Sequence, residues 1–469
     1  MGLGFHRPLA AWLLPACLLA GAASAQIGIG GDPSVDPADF RITVFATGLT
    51  YPTSMQQAGD GSLIVLTNDP SSGLFDSAGE IQRLVDADDD GVSDGPATTL
   101  FSGLPGIATS LRKVGPLVFV SSRELDNEAI SILRTGATPA AAYSLLGTLD
   151  LVYPAAAVVQ NHRNVALAAR PTPAGGGTVD LVFNIGSEDN SSATTDTVSG
   201  QGLLSGVAGA AAMNMDSLYQ VTVQDTGGVP VLSNLTQLAT GLRNAAGIAF
   251  DPAGNLWFAD NGIDPSGGAA QSADELNRIA AADLGGAIEE FGFPEDYISY
   301  TTGLAATGLS IQPLVAYLRT PDIATGARSE GPVEIALTPA AFPVPLQGGM
   351  FVGFHGRFSN SGAANDENPV VFTELGPLAY FHFVSTSEPA LGHPNGLLAT
   401  PRSLFIADLT ATGSTSSNSA NGVIHQIQAV APLPAFGNWP IALVASAFLL
   451  GTVAAARRLQ RPPERAPRS

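Results

Sequence analysis

The segment Asp86-Ala-Asp-Asp-Asp-Gly-Val-Ser-Asp94 holds the densest chemistry in the chain. Asp86, Asp88 and Asp90 occupy loop positions one, three and five, a glycine stands at six and Asp94 at nine, an order that meets calcium's need for several hard oxygens. Position twelve is Ala97, where a strong site would place a bidentate glutamate. The loop therefore reads as a structural calcium site or as an acidic turn that holds no ion. A second set of reactive types is scattered. His162, Arg243 and His393 each stand just before an apolar strand pattern, and Asn68, Ser187, Glu188, Asn261 and His355 just after one.

Something must bring those scattered residues together, and an internal repeat does it. A Gly-Leu or His turn, an alternating apolar strand, a Pro/Gly turn and a second apolar strand recur along the chain. The clearest copy runs Gly241-Leu-Arg-Asn-Ala-Ala-Gly-Ile-Ala-Phe-Asp-Pro-Ala-Gly-Asn-Leu-Trp-Phe-Ala-Asp260, and its best match opens at Gly48 and ends at Thr67. Weaker copies begin near Gly103, His162, Gly331 and His393. Six hairpins at uneven spacing fit the blades of a propeller with variable loops and do not fit a solenoid of fixed repeat. The fold class is accordingly all-β, a six-bladed β-propeller over residues 26–430.

In a hairpin the residue before strand one and the residue after strand two lie at the same end. The scattered set should then share one face and converge around the central channel. The plain alternative for each is a strand cap with no further role.

These segments resemble the soluble glucose/sorbosone dehydrogenase family from about Phe45 to Ile427. The resemblance is carried by Gly241 to Phe250 with Ala259-Asp-Asn-Gly262, by Asp274-Glu-Leu-Asn277, and by Gly349-Met-Phe-Val-Gly-Phe-His-Gly356. It implies a propeller that binds pyrroloquinoline quinone and calcium and oxidises a sugar hydroxyl by hydride transfer. On that reading His162 is the catalytic base, with Glu188 near the position of its orienting carboxylate. Arg243, Asn244 and Asn261 lie beside the quinone, and the backbone carbonyls of Gly262 and Ile263 help hold calcium. Two departures stand out. Ser187 occupies the place of the family's orienting aspartate, and Gly392-His393-Pro394-Asn395 replaces arginines that would meet the cofactor's carboxylates. Lys113 is the chain's one lysine, which leaves Arg357 and His393 as substitutes.

The ends and the charge set the surroundings. Residues 1–25 have the basic, apolar and Ala-Ser-Ala parts of a secretory signal, and Cys17, the single cysteine, leaves with it. An exported chain without cysteine has no disulfide and no thiolate chemistry. A proline-containing linker over 431–438 leads to a transmembrane or sorting helix over 439–458, with a basic tail over 459–469. Its uncharged run from Pro440 to Ala456, roughly 17 residues, is just long enough to span a bilayer. Arg457, Arg458 and Arg461 follow directly and place the tail in the cytoplasm. The net charge of −21 repels phosphate backbones, so nucleic acid is excluded as a partner. No feature of the sequence fixes an oligomeric state.

Three functions follow from these features. The first is a quinone-dependent sugar or aldose dehydrogenase of the envelope. The others are a catalytically silent surface propeller used for binding and a calcium-dependent lactone or ester hydrolase on the same architecture.

Overall fold

In the computed structural model the residues described are 27–430, except 71–73, 75–76, 125–126, 155–161, 164, 266–268, 357–366, 386–392 and 411–420. The signal over 1–25, the segments over 431–469 and Arg357 lie outside them. Among the described residues no helix is long and apolar enough to cross a membrane.

The chain enters as β1 (Phe40–Leu49) and then builds six sheets in order, antiparallel but for one short parallel pair at an edge. Blade one holds β2 (Ser54–Gln57), β3 (Leu63–Pro70), β4 (Ser77–Leu84) and β5 (Thr98–Leu104). Blade two holds β6 (Ile107–Val114), β7 (Leu117–Arg123), β8 (Asn127–Arg134) and β9 (Ser144–Val152). Blade three holds β10 (Leu167–Pro171), β11 (Thr178–Ile185), β14 (Ser217–Gln224) and β15 (Val231–Thr240). The intervening β12 (Thr197–Gly202) and β13 (Met213–Asn214) return to widen blade two. Blade four is β16 (Ala245–Phe250), β17 (Leu256–Asp260), β18 (Asp274–Ile279) and β20 (Val315–Tyr317), and β19 (Glu289–Glu290) edges blade three. Blade five is β21 (Pro332–Leu337), β22 (Gly349–Phe354), β23 (Val370–Glu374) and β24 (Tyr380–Val384). Blade six is β25 (Pro394–Ala399), β26 (Ser403–Asp408) and β27 (Gly422–Ala429), and its outer strand is β1.

Each hairpin read from the sequence is the inner pair of one blade. The six first strands touch in a closed circuit, β2 to β6, β10, β16, β21, β25 and back to β2. That circuit is the propeller. The strand that seals it, β1, pairs with β27 from Phe40 opposite Ala429 to Leu49 opposite Gly422, joining the two ends of the domain and removing two exposed sheet edges.

The second strands are apolar at nearly every position because both of their faces are buried. Leu256 and Phe258 pack toward blade three while Trp257 and Ala259 pack toward blade five. Ile64 and Leu66 likewise face blade two, with Leu63 and Val65 turned to blade six. One core cluster thus fills each junction between blades. The junction of blades five and six is aromatic, with Phe40 edge-on to Phe342 at 5.1 Å and Phe351 tilted on Phe383 at 4.9 Å.

Candidate functional site

The hairpin ends surround an axial cavity of about 490 Å³. His162, Arg243, Asn261 and His355 all line it, so the convergence argued from hairpin geometry holds for these four, and Asn244, Gly262 and Ile263 line it beside them. Ser187, Glu188, Asn68 and His393 are not among its lining residues.

A recurrent clamp fixes the face. At or near the end of a second strand stands an Asn or Asp whose side chain takes backbone N–H groups from the start of a first strand. Asp260 accepts from Arg243 at 3.0 Å and Asn244 at 2.6 Å. Asp408 accepts from His393 at 2.8 Å, Asn184 from Ala166 at 2.6 Å, and Asn68 from Ala108 of the next blade at 2.7 Å. These are the polar full stops of otherwise apolar runs, and that was their sequence signal.

His162 is buried, and its Nδ1 lies 2.8 Å from Ser187 Oγ and 3.2 Å from Ser187 O. The Ser187 hydroxyl in turn donates to Asp189 O at 2.7 Å. A carbonyl only accepts, and a hydroxyl has one hydrogen to give, so Nδ1 must carry the proton and Nε2 the lone pair. Burial, with the positive charge of Arg243 beside it, pushes the His162 pKa down to about 3, so the ring is neutral at ordinary pH. Gly186 makes the contact possible. A Cβ there would meet His162 O at 2.4 Å and His162 Cβ at 2.8 Å. The backbone N–H of Glu188, the residue expected near the orienting position, donates to Thr194 Oγ1 at 2.9 Å.

Arg243 is committed to loops. Its Nε donates to Asn190 O at 3.0 Å, and an Nη donates to Asn190 Oδ1 at 2.6 Å and to Asp264 Oδ2 at 2.9 Å. It thereby ties the loop after β11 to the loop after β17. Asn190, which opens an Asn-Ser-Ser sequon, is occupied in that tie.

Asn261 is oriented by Pro332 O, to which its Nδ2 donates at 2.7 Å, so its Oδ1 must be the atom that receives Asn244 Nδ2 at 3.0 Å. Gly262 closes against the segment that leads into β18, since a Cβ would meet Ser272 O at 2.5 Å. The Ile263 carbonyl already accepts from Ser272 N at 3.1 Å. His393 stacks on His355 with centroids 4.4 Å apart and an interplanar angle of 12°, and its Nδ1–H donates to His355 O at 2.8 Å. It supports the cavity from behind. Burial holds His355 well below the ordinary histidine value and therefore neutral.

The cavity walls also carry four carboxylates that the hairpin argument missed, Asp264, Asp274, Glu330 and Glu334. Glu330 directly precedes Gly331 and was within reach of that argument, whereas Asp274 opens a third strand and was not. Burial raises Asp274 to about 8, helped by the neighbouring charges of Glu330 and Asp264. Glu334 reaches Arg112 from the opposite side of the ring, with both carboxylate oxygens within 2.9 Å of one Nη. The same guanidinium donates to Ile248 O at 3.3 Å. Glu334 lines both the axial cavity and a second space of about 270 Å³, which Arg112, Phe250, Leu337 and Leu397 also line.

At the acidic loop, ligand oxygens of Asp86, Asp88 and Asp94 lie within 4.8 Å of one another, and Asp90 is not in that group. The Asp90 carboxylate accepts from Val92 N at 2.8 Å.

The fold and site define a six-bladed β-propeller whose hairpin ends surround an axial cavity. Several solved structures share this fold. A Trichoderma reesei carbohydrate-active enzyme of family AA12 matches in its iodide structure with TM-score 0.55 and 15% identity, over 87% of this chain and 100% of that one. The calcium structure of the Trichoderma reesei enzyme matches with TM-score 0.53 and 15% identity, over 86% and 98%. The holo pyrroloquinoline quinone domain of a Coprinopsis cinerea pyranose dehydrogenase matches with TM-score 0.52 and 13% identity, over 87% and 99%. No family model matches the chain, and no curated protein matches it. At these identities the likeness is one of fold, and it is the fold that the sequence resemblance implied.

Proposed function

We propose that the protein is a sugar dehydrogenase-like enzyme of the cell envelope, which oxidises a sugar hydroxyl in the axial cavity with a quinone as electron acceptor. One observation carries this reading. His162 is neutral, its Nδ1–H is engaged by Ser187, and its Nε2 lone pair belongs to a side chain that lines the cavity. That is the form an imidazole needs to take a hydroxyl proton. The envelope location rests on the sequence reading of residues 1–25 and 439–458.

Pyrroloquinoline quinone with calcium would supply the acceptor for the hydride. The residues present suit half of that pair. Asn244, Asn261 and the carbonyls of Gly262 and Ile263 bring amide groups and hard oxygens to one wall, suited to a quinone's carbonyl edge and to calcium. The three carboxylates of the quinone find no match among the described side chains. Arg243 is paired with Asp264, His355 is neutral, and Glu330 is itself an acid. Arg357 is the remaining candidate from the sequence.

That mismatch favours one alternative, a sugar-binding propeller without redox chemistry. A hydrolytic centre has less support, since no three acidic or histidine ligand atoms converge in the cavity among the described residues. Titrating the purified exported protein with quinone and calcium, then adding aldoses and a redox dye, separates the readings. A spectral shift with aldose-dependent dye reduction is expected. Aldose binding without either signal would leave the binding propeller.

A further inference from the structure

The two ends of the propeller differ. Asn68, Asn184, Asp260 and Asp408 mark the cavity end of the second strands, and the turns between first and second strands lie at the opposite end. Register carries that turn face outward through each blade. Leu63 opposite Leu84 puts the acidic loop after β4 on it. Leu117 opposite Arg134, and Arg134 opposite Ser144, put the start of β9 there. Thr178 opposite Gln224, and Gln224 opposite Val231, do the same for the turn between β14 and β15. Ten large apolar side chains are exposed among the described residues, and six of them stand on this face. They are Val92 in the acidic loop, Leu145, Val229, Val231, Val344 in the turn between β21 and β22, and Val430 after β27. Single exposed apolar residues need no explanation. Here five of the six blades present them at one end. Tips spread so widely suit a planar surface, which meets all of them at once. The other four, Ile288, Leu304, Leu309 and Ile311, belong to the excursion between β18 and β20.

The place where the chain leaves the propeller decides what this face meets. β27 runs from the cavity end, with Val423 opposite Asp408, to the turn end, with Gln428 opposite Ser403. Val430 N then donates to Asp39 O at 2.8 Å. The linker over 431–438 can reach at most about 29 Å before the run read as a membrane helix begins. A second strand such as β3, eight residues long, sets the cavity mouth about 25 Å from the turn face. Bringing the mouth down to the bilayer would use nearly all of the linker's reach, whereas the turn face already lies at its start. The net charge of −21 is repelled by anionic headgroups, so the surface it suits is zwitterionic.

We propose that the turn face is a membrane-docking surface: Val92, Leu145, Val229, Val231 and Val344 rest in the headgroup region of a zwitterionic bilayer, and the axial cavity opens away from it. The inference rests on the reading of 439–458 as a membrane helix and adds the orientation of the domain above it. Sugar and any second electron acceptor then enter the cavity from the aqueous side, and a carrier dissolved in the bilayer does not reach His162.

The test uses the chain with its C-terminal segment, reconstituted in phosphatidylcholine vesicles. Cys17 leaves with the signal, so Val229→Cys, Val344→Cys and Leu309→Cys each give one site for an environment-sensitive dye. These side chains are 62%, 84% and 90% exposed, so replacing them removes no packing. Leu309 stands at the cavity end, where Asp296 holds its N–H at 2.9 Å and Phe293 N donates to Gly241 O at 2.9 Å. Lipids spin-labelled in the headgroup region should quench the dye at 229 and 344, with its emission shifted to the blue, and leave the dye at 309 bright. Quenching at 309 would overturn the inference, whatever happens at the other two positions. Absence of quenching at 229 or 344 in protein that sediments with the vesicles would overturn it too and leave the membrane helix standing. Protein that stays in the supernatant would overturn both.

Discussion

The bond between His162 Nδ1 and Ser187 Oγ, 2.8 Å long, runs in one direction. Because the serine gives its hydrogen to Asp189 O, it can only accept from the imidazole. A neutral hydroxyl thus fixes the tautomer without stabilising a positive ring, which a carboxylate in its place would do.

Ser187→Asp should therefore raise the His162 pKa from its depressed value of about 3, as read from the pH dependence of the imidazole resonances by NMR. The sign of the linked stability follows. In the unfolded chain His162 titrates near 6.5, so between about 3 and 6.5 the unfolded state binds more protons. The contribution is complete above that window and is lost as the pH falls through it. Ser187→Asp should narrow the window and flatten this part of the acid limb. An unchanged His162 titration would show that Ser187 does not govern the ring.

Arg112 and Glu334 come from opposite sides of the ring, with side chains 13% and 7% exposed. Breaking such a pair from one side leaves a buried charge, so Arg112→Ala or Glu334→Ala should each cost about 3–5 kcal/mol in urea unfolding. Replacing both by Met and Leu should cost far less, because no charge is stranded. Additive losses in the double-mutant cycle would show that the two residues do not act as a pair.

The acidic loop is bound to the closing strand. Thr43 Oγ1 donates to Gly91 O at 2.7 Å, Ser93 N to Phe45 O at 2.7 Å, and Arg41 to Asp89 O at 3.3 Å. Calcium between Asp86, Asp88 and Asp94 would hold blade one to the strand that seals blade six. Asp86→Asn combined with Asp88→Asn should lower the melting temperature in calcium and leave it nearly unchanged in chelator. The same loss in both conditions would show an acidic turn that needs no ion.

The hairpins were legible because each pairs a turn residue with two short apolar runs, and the second strand is buried on both faces. Leu63 to Leu66 and Leu256 to Ala259 announce that in four residues each. The role of β1 was not legible, since Phe40 to Leu49 alternates like any edge strand and its partner lies at the far end of the chain. In the site, His162, Arg243, Asn261 and His355 followed from hairpin ends alone. His393 stood at the same kind of position but turns behind His355, a choice made by ring stacking and not by spacing. Asp264, Asp274 and Glu334 escaped because they lie in a loop, at a third strand and inside a first strand, where no repeat marks them.

The central claim is that His162 is the base for a sugar hydroxyl, and sugar-dependent dye reduction by wild-type and His162→Ala protein, each supplied with quinone and calcium, tests it most directly. Loss of a positioned base should lower the rate about 10²–10⁴-fold while the quinone titration of the variant overlays that of the wild type. Equal rates in the two proteins, or a wild type that reduces no dye with any aldose, would contradict the account.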